Sequence, residues 1–304
     1  MEPNNYQPEL PIIRPPSESR SLLVRVTRGC NWNRCRFCGI YPAMGEPDFS
    51  VRELDDICHD IDVTLQRHPR AKTAFLGDAD PLAGGLKLVL GVLNHLQKRV
   101  QLERITCYAR ASTLRRLGPE AVKQLAAAGL SRVHLGLESG DLETLTLQRK
   151  GQSPEMVAEV AHWLREASIE LSVYVLLGLG GRDKWRQHIR ATAALLNRIE
   201  PDFIRIRRLW LYQRPGYENP LLELVRDGRF IEQNGEGTVH ELRLLLEELQ
   251  PMHSYFACDH ANNYVQVAGP LDEAQGEMLA EVDAFLSLPE EQRQHCYQTI
   301  GSRI

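Results

Sequence analysis

The chain has 304 residues, of which 43% are hydrophobic and 25% are charged, and its formal net charge is −4. These values are typical of a soluble globular protein with one large domain, or one domain and an appendage, and they exclude collagen-like, low-complexity and wholly disordered chains. No apolar run approaches the roughly 20 residues of a membrane helix, and residues 1–20 lack the pattern of a signal peptide. We therefore expect a cytoplasmic protein that does not enter a membrane, and the negative charge gives no reason to expect binding to duplex DNA.

The first 20 residues are polar and rich in proline, which predicts an N-terminal arm over residues 1–20. From Ser21 onward, short apolar runs alternate with helical patterns. Strands are predicted at 22–26, 73–76, 104–107, 133–137, 171–177 and 203–211. Helices are predicted at 51–66, 120–128, 155–166 and 182–198, the first of them with Ser50 as its N-terminal cap.

This alternation predicts βα units and a parallel sheet. Because the units are too few for a closed eight-unit barrel, we expect an α/β core over residues 21–216, either a partial (βα)6 TIM-like barrel or a doubly wound sheet. In both folds the reactive groups lie at the C-terminal ends of the strands. The alternation fades after residue 216, where a helix at 238–249 and an amphipathic stretch at 272–286 predict a small, α-rich C-terminal cap over 217–304.

Seven cysteines make an odd count, which argues against a disulfide framework and for a reducing compartment. Cys30, Cys35 and Cys38 lie within nine residues, on the loop that leaves the first predicted strand. Three thiolates on one loop suit a soft metal, and a [4Fe–4S] cluster with three protein ligands keeps one iron open. A structural zinc site is the main alternative, but it needs a fourth ligand, and the next histidine, His59, lies inside a predicted helix.

The C-x4-C-x2-C loop after the first strand of a βα pattern resembles the radical S-adenosylmethionine (SAM) superfamily. The usual spacing there is C-x3-C-x2-C, with an aromatic residue before the last cysteine, and Phe37 supplies that residue here. This chain has one additional residue between Cys30 and Cys35. The resemblance covers about residues 15–215, and within the superfamily the chain is similar to the coproporphyrinogen-dehydrogenase and methylthiotransferase branch. Of the two folds above, the resemblance favours the partial (βα)6 TIM-like barrel.

The resemblance implies that SAM binds at the ends of successive strands. Asp78-Ala79-Asp80-Pro81 takes the place of the family's Gly-Gly-Glu-Pro, so Asp78 and Asp80 are expected to contact the methionine amino group, with Asp80 in the place of the glutamate. Glu138, in Leu-Gly-Leu-Glu-Ser-Gly, corresponds to the residue that contacts the ribose hydroxyls. Taken alone, the two aspartates also fit a turn or a helix cap.

The remaining contacts to SAM follow from the same resemblance. Lys150, twelve residues after Glu138, corresponds to a basic residue for the SAM carboxylate, and Arg110 at the end of the third strand is a second candidate. Gly178 and Gly180 resemble the glycines that cradle the adenine. Taken alone, these glycines also fit an ordinary turn.

The implied activity is reductive cleavage of SAM to a 5′-deoxyadenosyl radical, which abstracts hydrogen from a substrate. It implies an oxygen-sensitive enzyme that needs an electron donor such as flavodoxin or ferredoxin. The sequence contains no second cysteine group, no cobalamin-binding domain and no obvious RNA-binding module, so a small organic substrate is favoured by elimination. A tRNA- or peptide-modifying enzyme of the same fold, and a non-catalytic iron–sulfur or zinc protein, remain alternatives.

Two segments are candidates for substrate contact. Alternation along the sixth strand places Arg205 and Arg207 on one face and Arg208 on the other, so that at least one guanidinium points inward. A guanidinium there can hold a carboxylate or phosphate, which makes an anionic substrate a candidate, and the alternative is an ion pair at a strand edge. In the segment 255–264, Cys258 is a candidate hydrogen donor to a substrate radical, and the alternative is a buried cysteine in a turn.

Overall fold

A computed structural model of the chain describes residues 6–211, 213 and 215–300. Residues 1–5 of the predicted arm, residues 301–304 of the predicted cap, and Tyr212 and Arg214 of the arginine-rich segment lie outside the described residues. The strands are β1 (Leu22–Arg25), β2 (Thr27–Arg28), β3 (Ser50–Val51), β4 (Thr73–Gly77), β5 (Arg104–Ala109), β6 (Leu130–Glu138), β7 (Glu170–Leu177), β8 (Phe203–Arg208), β9 (Tyr255–Cys258) and β10 (Val267–Pro270).

Helices follow most of the strands along the chain. They are α1 (Ile40–Ala43), α2 (Leu54–Arg67), α3 (Leu86–Arg99), α4 (Ala111–Leu117), α5 (Pro119–Ala127), α6 (Leu142–Leu147), α7 (Pro154–Glu166), α8 (Gly181–Ile199), α9 (Leu221–Arg226), α10 (Gly235–Glu248), α11 (Leu271–Leu286) and α12 (Glu290–Ile300). Two short 3-10 helices lie at Pro16–Glu18 and Pro81–Gly84. None of the described helices is long and apolar enough to cross a membrane.

The hydrogen-bonded strand order is β1-β4-β5-β6-β7-β8-β9-β10, while β2 and β3 form a separate two-stranded ribbon. Parallel pairs include β1 with β4, β4 with β5, β7 with β8, and β8 with β9, whereas β9 and β10 are antiparallel. Parallel strands with helical connections confirm the predicted α/β class and its partial TIM-like form.

The six predicted strands are present with shifts of a few residues at their ends. The helix that was predicted from residue 51 with Ser50 as its cap is wrong at its start. Ser50 and Val51 pair with Arg28 and Thr27 as a strand, and the helix begins only at Leu54. The pairing of β3 with the distant β2 overrides the local capping preference.

The segment after residue 216 contains the helices α9–α12, as expected of an α-rich region, and also the hairpin of β9 and β10. β9 extends the sheet, since Phe203 pairs with Tyr255 and Ile204 with Phe256. Whether the boundary of the catalytic core lies at residue 216 stays a prediction.

The described chain divides into two compact units. The first contains the described residues within 1–33, 40–135 and 163–170, and the second those within 34–39, 136–162 and 171–304. In the first unit β4 pairs with β5, α2 packs against α3 and β1, and Phe75, Leu76, Ile61 and Leu93 are inaccessible or nearly so.

In the second unit, β7 and β8 carry a continuous apolar face, and α8 packs against α10. A second apolar cluster of this unit lies around α9 and consists of Leu179, Leu209, Leu211, Leu221, Leu224 and Phe230. These cores hold the C-terminal ends of the strands in place, which is where the predicted site residues lie.

Candidate functional site

The three clustered cysteines lie on the loop between β2 and α1. None of the three is in a disulfide and each is partly exposed, and the backbone N–H of Asn33 lies 3.4 Å from Cys30 Sγ. Among the described residues, no group of three or more His, Cys, Asp or Glu side chains is gathered for a metal ion. The donor set nevertheless fits the predicted group, because three accessible thiols on one loop leave a fourth iron without a protein ligand.

Hydrogen bonds within the second unit fix the loop backbone beside Cys35. The N–H of Arg36 donates to the carbonyl of Gln148 at 2.9 Å, and its carbonyl accepts from the N–H of Leu221 at 3.1 Å. Asn219 Nδ2 donates to the carbonyl of Phe37 at 3.2 Å. The loop is therefore anchored by the end of α6 and by the segment that leads into α9.

Asp78, in the first unit, is fully buried directly after β4. It accepts hydrogen bonds from Arg25 Nε at 2.7 Å and from the N–H of Ile12 at 2.9 Å. Burial raises its pKa to about 6, although Arg25 acts in the opposite direction. Both oxygens are engaged within the protein, so Asp78 is held as a structural anchor of the strand end.

Asp80 is equally buried, but its two oxygens differ. Oδ2 accepts a hydrogen bond from Thr113 Oγ1 at 2.5 Å, whereas Oδ1 is buried without a hydrogen-bond partner among the described residues. Burial raises the pKa of this carboxyl group to about 6, and the Thr113 bond partly offsets the effect. A buried, unsatisfied carboxylate oxygen is costly and fits a cationic ligand such as an ammonium group.

Arg110 lies directly before α4, also in the first unit. Its guanidinium lies 4.8 Å from the centre of the Trp32 ring, within the cysteine loop. This cation–π contact brings the third predicted strand end next to the segment that carries Cys30.

Glu138 and Lys150, both in the second unit, form a largely buried ion pair. Lys150 Nζ lies 2.8 Å from Glu138 Oε1, and the two side chains are only 10% and 14% exposed. The same ammonium lies 5.7 Å from the centre of the Phe37 ring. A Cβ atom at Gly136 would lie 2.7 Å from Lys150 Nζ and even closer to the Glu138 carboxylate, so the ends of these two flexible side chains would have to move to make room for it.

The glycine-rich turn after β7 is held by a residue that no sequence motif identifies. Gly178 has a φ of 84°, which glycine adopts without strain, and its N–H donates to Glu241 Oε2 at 2.6 Å. Gly180 serves close packing, because a Cβ there would lie 2.8 Å from the Cβ of His188 in α8. The two predicted adenine-cradling glycines thus have separate structural roles.

Glu241 is fully buried in α10, and its Oε1 accepts a hydrogen bond from Gln233 Nε2 at 3.0 Å. Burial raises its pKa to about 7, and the bonds from Gly178 and Gln233 only partly counteract this. The signal in the sequence is a glutamate on the apolar face that Val239, Leu242 and Leu245 define, and such a glutamate needs a specific partner.

Arg205, Arg207 and Arg208 follow the predicted alternation on β8. Arg208 lines a small cavity against α10 together with Cys258, and Arg205 and Arg207 therefore lie on the other face of the strand. Arg207 lies 5.2 Å from the centre of the Tyr174 ring. Arg207 is not among the residues that line this cavity with Cys258.

Cys258 is 1% exposed, and its thiol donates to the carbonyl of Val265 at 3.3 Å. Burial raises the pKa of this thiol to about 12. Cys258 lies in a strand rather than in a turn, and its role as a hydrogen donor stays a prediction.

The sequence profile of the Radical SAM superfamily matches residues 24–193, more than half of the chain. This range includes the three clustered cysteines and the ends of β4, β5, β6 and β7. No curated protein sequence matches the chain.

Solved structures of low sequence identity share the fold. Two structures of the radical S-adenosylmethionine methyltransferase TsrM from Kitasatospora setae align with 67% of this chain at 20% identity and a TM-score of 0.53. One contains tryptophan substrate and the SAM analog aza-SAM, and the other contains cobalamin and a [4Fe–4S] cluster. The archaeal Methanocaldococcus infernus Elp3, with an N-terminal deletion, aligns with 78% at 15% identity and a TM-score of 0.52. The aligned part spans 38–39% of the TsrM chains and 59% of the Elp3 chain.

Proposed function

The chain belongs to the radical SAM superfamily, and from this membership we propose that it cleaves SAM reductively and abstracts hydrogen from a small organic substrate. Enzymes of this family use a [4Fe–4S] cluster and SAM. Bound together, the two supply a 5′-deoxyadenosyl radical, while the protein binds, orients and shields the reactants.

The observation that carries the proposal is the buried Asp80 carboxylate at the end of β4. Its Oδ1 is satisfied by no described residue, and Thr113 fixes the orientation of the group through Oδ2. An ammonium ligand would satisfy that oxygen with a charge-assisted hydrogen bond. Asp80 is therefore proposed to hold the amino group of SAM, and Asp78 to position the strand end that carries it.

Other residues of the site are proposed to hold the remaining parts of the two cofactors. Glu138 is proposed to contact the ribose hydroxyls and Lys150 to contact the SAM carboxylate, with Arg110 as the second candidate for the carboxylate. The hydrogen bond from Lys150 to Glu138 supports this, because it holds the two side chains side by side. Gly178 and Gly180 shape the turn for the adenine. The cluster ligands are Cys30, Cys35 and Cys38, with Phe37 beside them.

The substrate class and the electron donor are proposed from the chemistry that the residues and the cofactors require. The substrate is proposed to be a small organic molecule with an anionic group that Arg207 can bind. Cys258 stays a predicted hydrogen donor, although it lines the cavity on the other face of β8. The reductant is a flavodoxin or ferredoxin. A reducing cytoplasm suits the chain because none of its seven cysteines is in a disulfide.

Anaerobic reconstitution with iron and sulfide tests the proposal. We expect a brown protein that releases 5′-deoxyadenosine when SAM and dithionite are added. A colourless zinc protein, or a cluster protein that releases no 5′-deoxyadenosine, would contradict it.

A further inference from the structure

Arg205 in the middle of β8 carries a buried positive charge. The residue is 8% exposed, and its Nε donates to Ser172 Oγ at 3.0 Å on the neighbouring strand β7. The guanidinium lies 5.2 Å from the centre of the Phe203 ring. These are a single neutral hydrogen bond and one aromatic contact.

No carboxylate among the described residues lies within ion-pair distance of Arg205. Other buried arginines of the chain have such partners: Arg25 pairs with Asp78, and Arg52 pairs with Asp60. Burying a charge without a counter-ion costs free energy, so buried charges in proteins are normally paired with an opposite charge or bind a ligand. A bound anion that is not part of the chain would neutralise the buried charge of Arg205.

Arg205 belongs to a group of side chains that we call the arginine face. The group consists of Ser172, Tyr174, Arg205, Arg207 and Asp259. Arg207 lies over the Tyr174 ring, and its Nη1 donates to the carbonyl of Ile206 at 2.8 Å. Asp259 Oδ1 lies 3.8 Å from Arg207 Nη1, at the outer limit of an ion pair. Two guanidinium groups and one carboxylate give the arginine face a net formal charge of +1.

We propose that Arg205 binds a carboxylate group of the substrate, with Arg207 as a second cation beside it. Because the Nε of Arg205 donates to Ser172, the two Nη atoms at the end of the guanidinium remain available to a ligand. This end can bind a planar carboxylate through two parallel hydrogen bonds. A net charge of +1 matches a singly charged carboxylate better than a doubly charged phosphate. This inference rests on the proposed function, because the arginine face is taken as the substrate side of the sheet.

The test uses the reconstituted protein with SAM bound and acetate as the probe. The unfolding temperature is measured in acetate, in chloride at equal ionic strength, and in inorganic phosphate. We expect acetate to raise it by about 2–4 °C relative to chloride, since a ligand that binds only the folded state stabilises it. Phosphate should give a smaller rise.

Three variants test whether the rise in unfolding temperature comes from acetate bound at Arg205. Arg205→Met should lose it, and Arg190→Met, which removes a surface arginine of the same unit, should keep it. Arg205→Lys keeps the charge but not the two-pronged donor, so it should lose more than half of the rise, and it decides the question if Arg205→Met does not fold.

The inference is overturned if acetate does not stabilise the wild type, if phosphate stabilises it more, or if the Arg205 variants keep the full rise. SAM binding is measured on the same samples. Failure of the acetate response in protein that binds SAM contradicts the carboxylate site alone, whereas failure to bind the cluster and SAM contradicts the proposed function.

Discussion

Replacing Glu241 with glutamine should remove a pH dependence from the stability of the protein. Glu241 is fully buried in α10 and accepts hydrogen bonds from Gly178 and Gln233. Its pKa rises from the usual 4.5 to about 7, because burial disfavours the charged form. A glutamine side chain keeps a carbonyl oxygen for the N–H of Gly178 and cannot ionise.

The magnitude follows from the pKa difference between the folded and unfolded states. A carboxyl group with a raised pKa in the folded state contributes stability that is fully present below its unfolded pKa and is lost as the pH rises through the folded pKa. The rise from 4.5 to about 7 corresponds to roughly 3 kcal/mol, of which about 2.5 kcal/mol is lost between about pH 5 and about pH 8.

Urea unfolding followed by circular dichroism over that pH range measures the effect. The free energy of unfolding of Glu241→Gln minus that of the wild type should grow by about 2.5 kcal/mol as the pH rises. Asp78 and Asp80, whose pKa values are also raised, are present in both proteins and cancel. Glu247→Gln, an exposed change in the same helix, should give a constant difference. A constant difference for Glu241→Gln as well would refute the reasoning.

Two further predictions concern the proposed SAM site. Asp80→Asn should weaken SAM binding at least tenfold, which corresponds to about 1.4 kcal/mol. In the wild type the affinity for SAM should fall as the pH drops below about 6, because Asp80 becomes protonated there. Calorimetry that finds equal affinities in the two proteins, or no pH dependence in the wild type, would contradict this role. Gly136→Ala should displace the charged ends of Glu138 and Lys150 and lower SAM affinity, with little loss of stability because both side chains are flexible. Gly276→Ala, in open space within α11, should leave SAM binding unchanged, and equal SAM affinities of the two alanine variants would contradict the close-approach argument.

Features that depend on neighbours in the chain were predictable from the sequence. The six strand positions follow from short apolar runs between loops, whereas Asp80, Glu138 and Gly178 were identified from the resemblance of their motifs to those of the radical SAM family. Helix α3 (Leu86–Arg99) is not among the predicted elements, since an almost continuous apolar run at its start does not separate a helix from a strand.

Features that depend on distant contacts were not predictable. Ser50 has the character of a helix cap but pairs with Arg28 in a strand. Two acidic residues of one motif, Asp78 and Asp80, differ because Asp78 accepts a hydrogen bond from the side chain of Arg25 in β1, whereas the side chain that bonds to Asp80 is Thr113. The partner of Gly178 is Glu241, more than sixty residues further along the chain, and no local pattern connects the two.

The two faces of β8 are a further example of a feature that the sequence predicts only in part. Alternation correctly separates Arg207 from Arg208, but it does not say which face meets α10. The structure places Arg208 and Cys258 against that helix and leaves Arg205 and Arg207 on the opposite face.

The central claim is that Cys30, Cys35 and Cys38 hold an iron–sulfur cluster with one open iron for SAM. The most direct test is the iron content of the anaerobically reconstituted protein and of single cysteine-to-alanine variants. We predict about four irons per chain in the wild type and in Cys296→Ala, and loss of the cluster in each variant of the three loop cysteines. Equal iron content in all four variants, or loss in Cys296→Ala as well, would contradict the assignment.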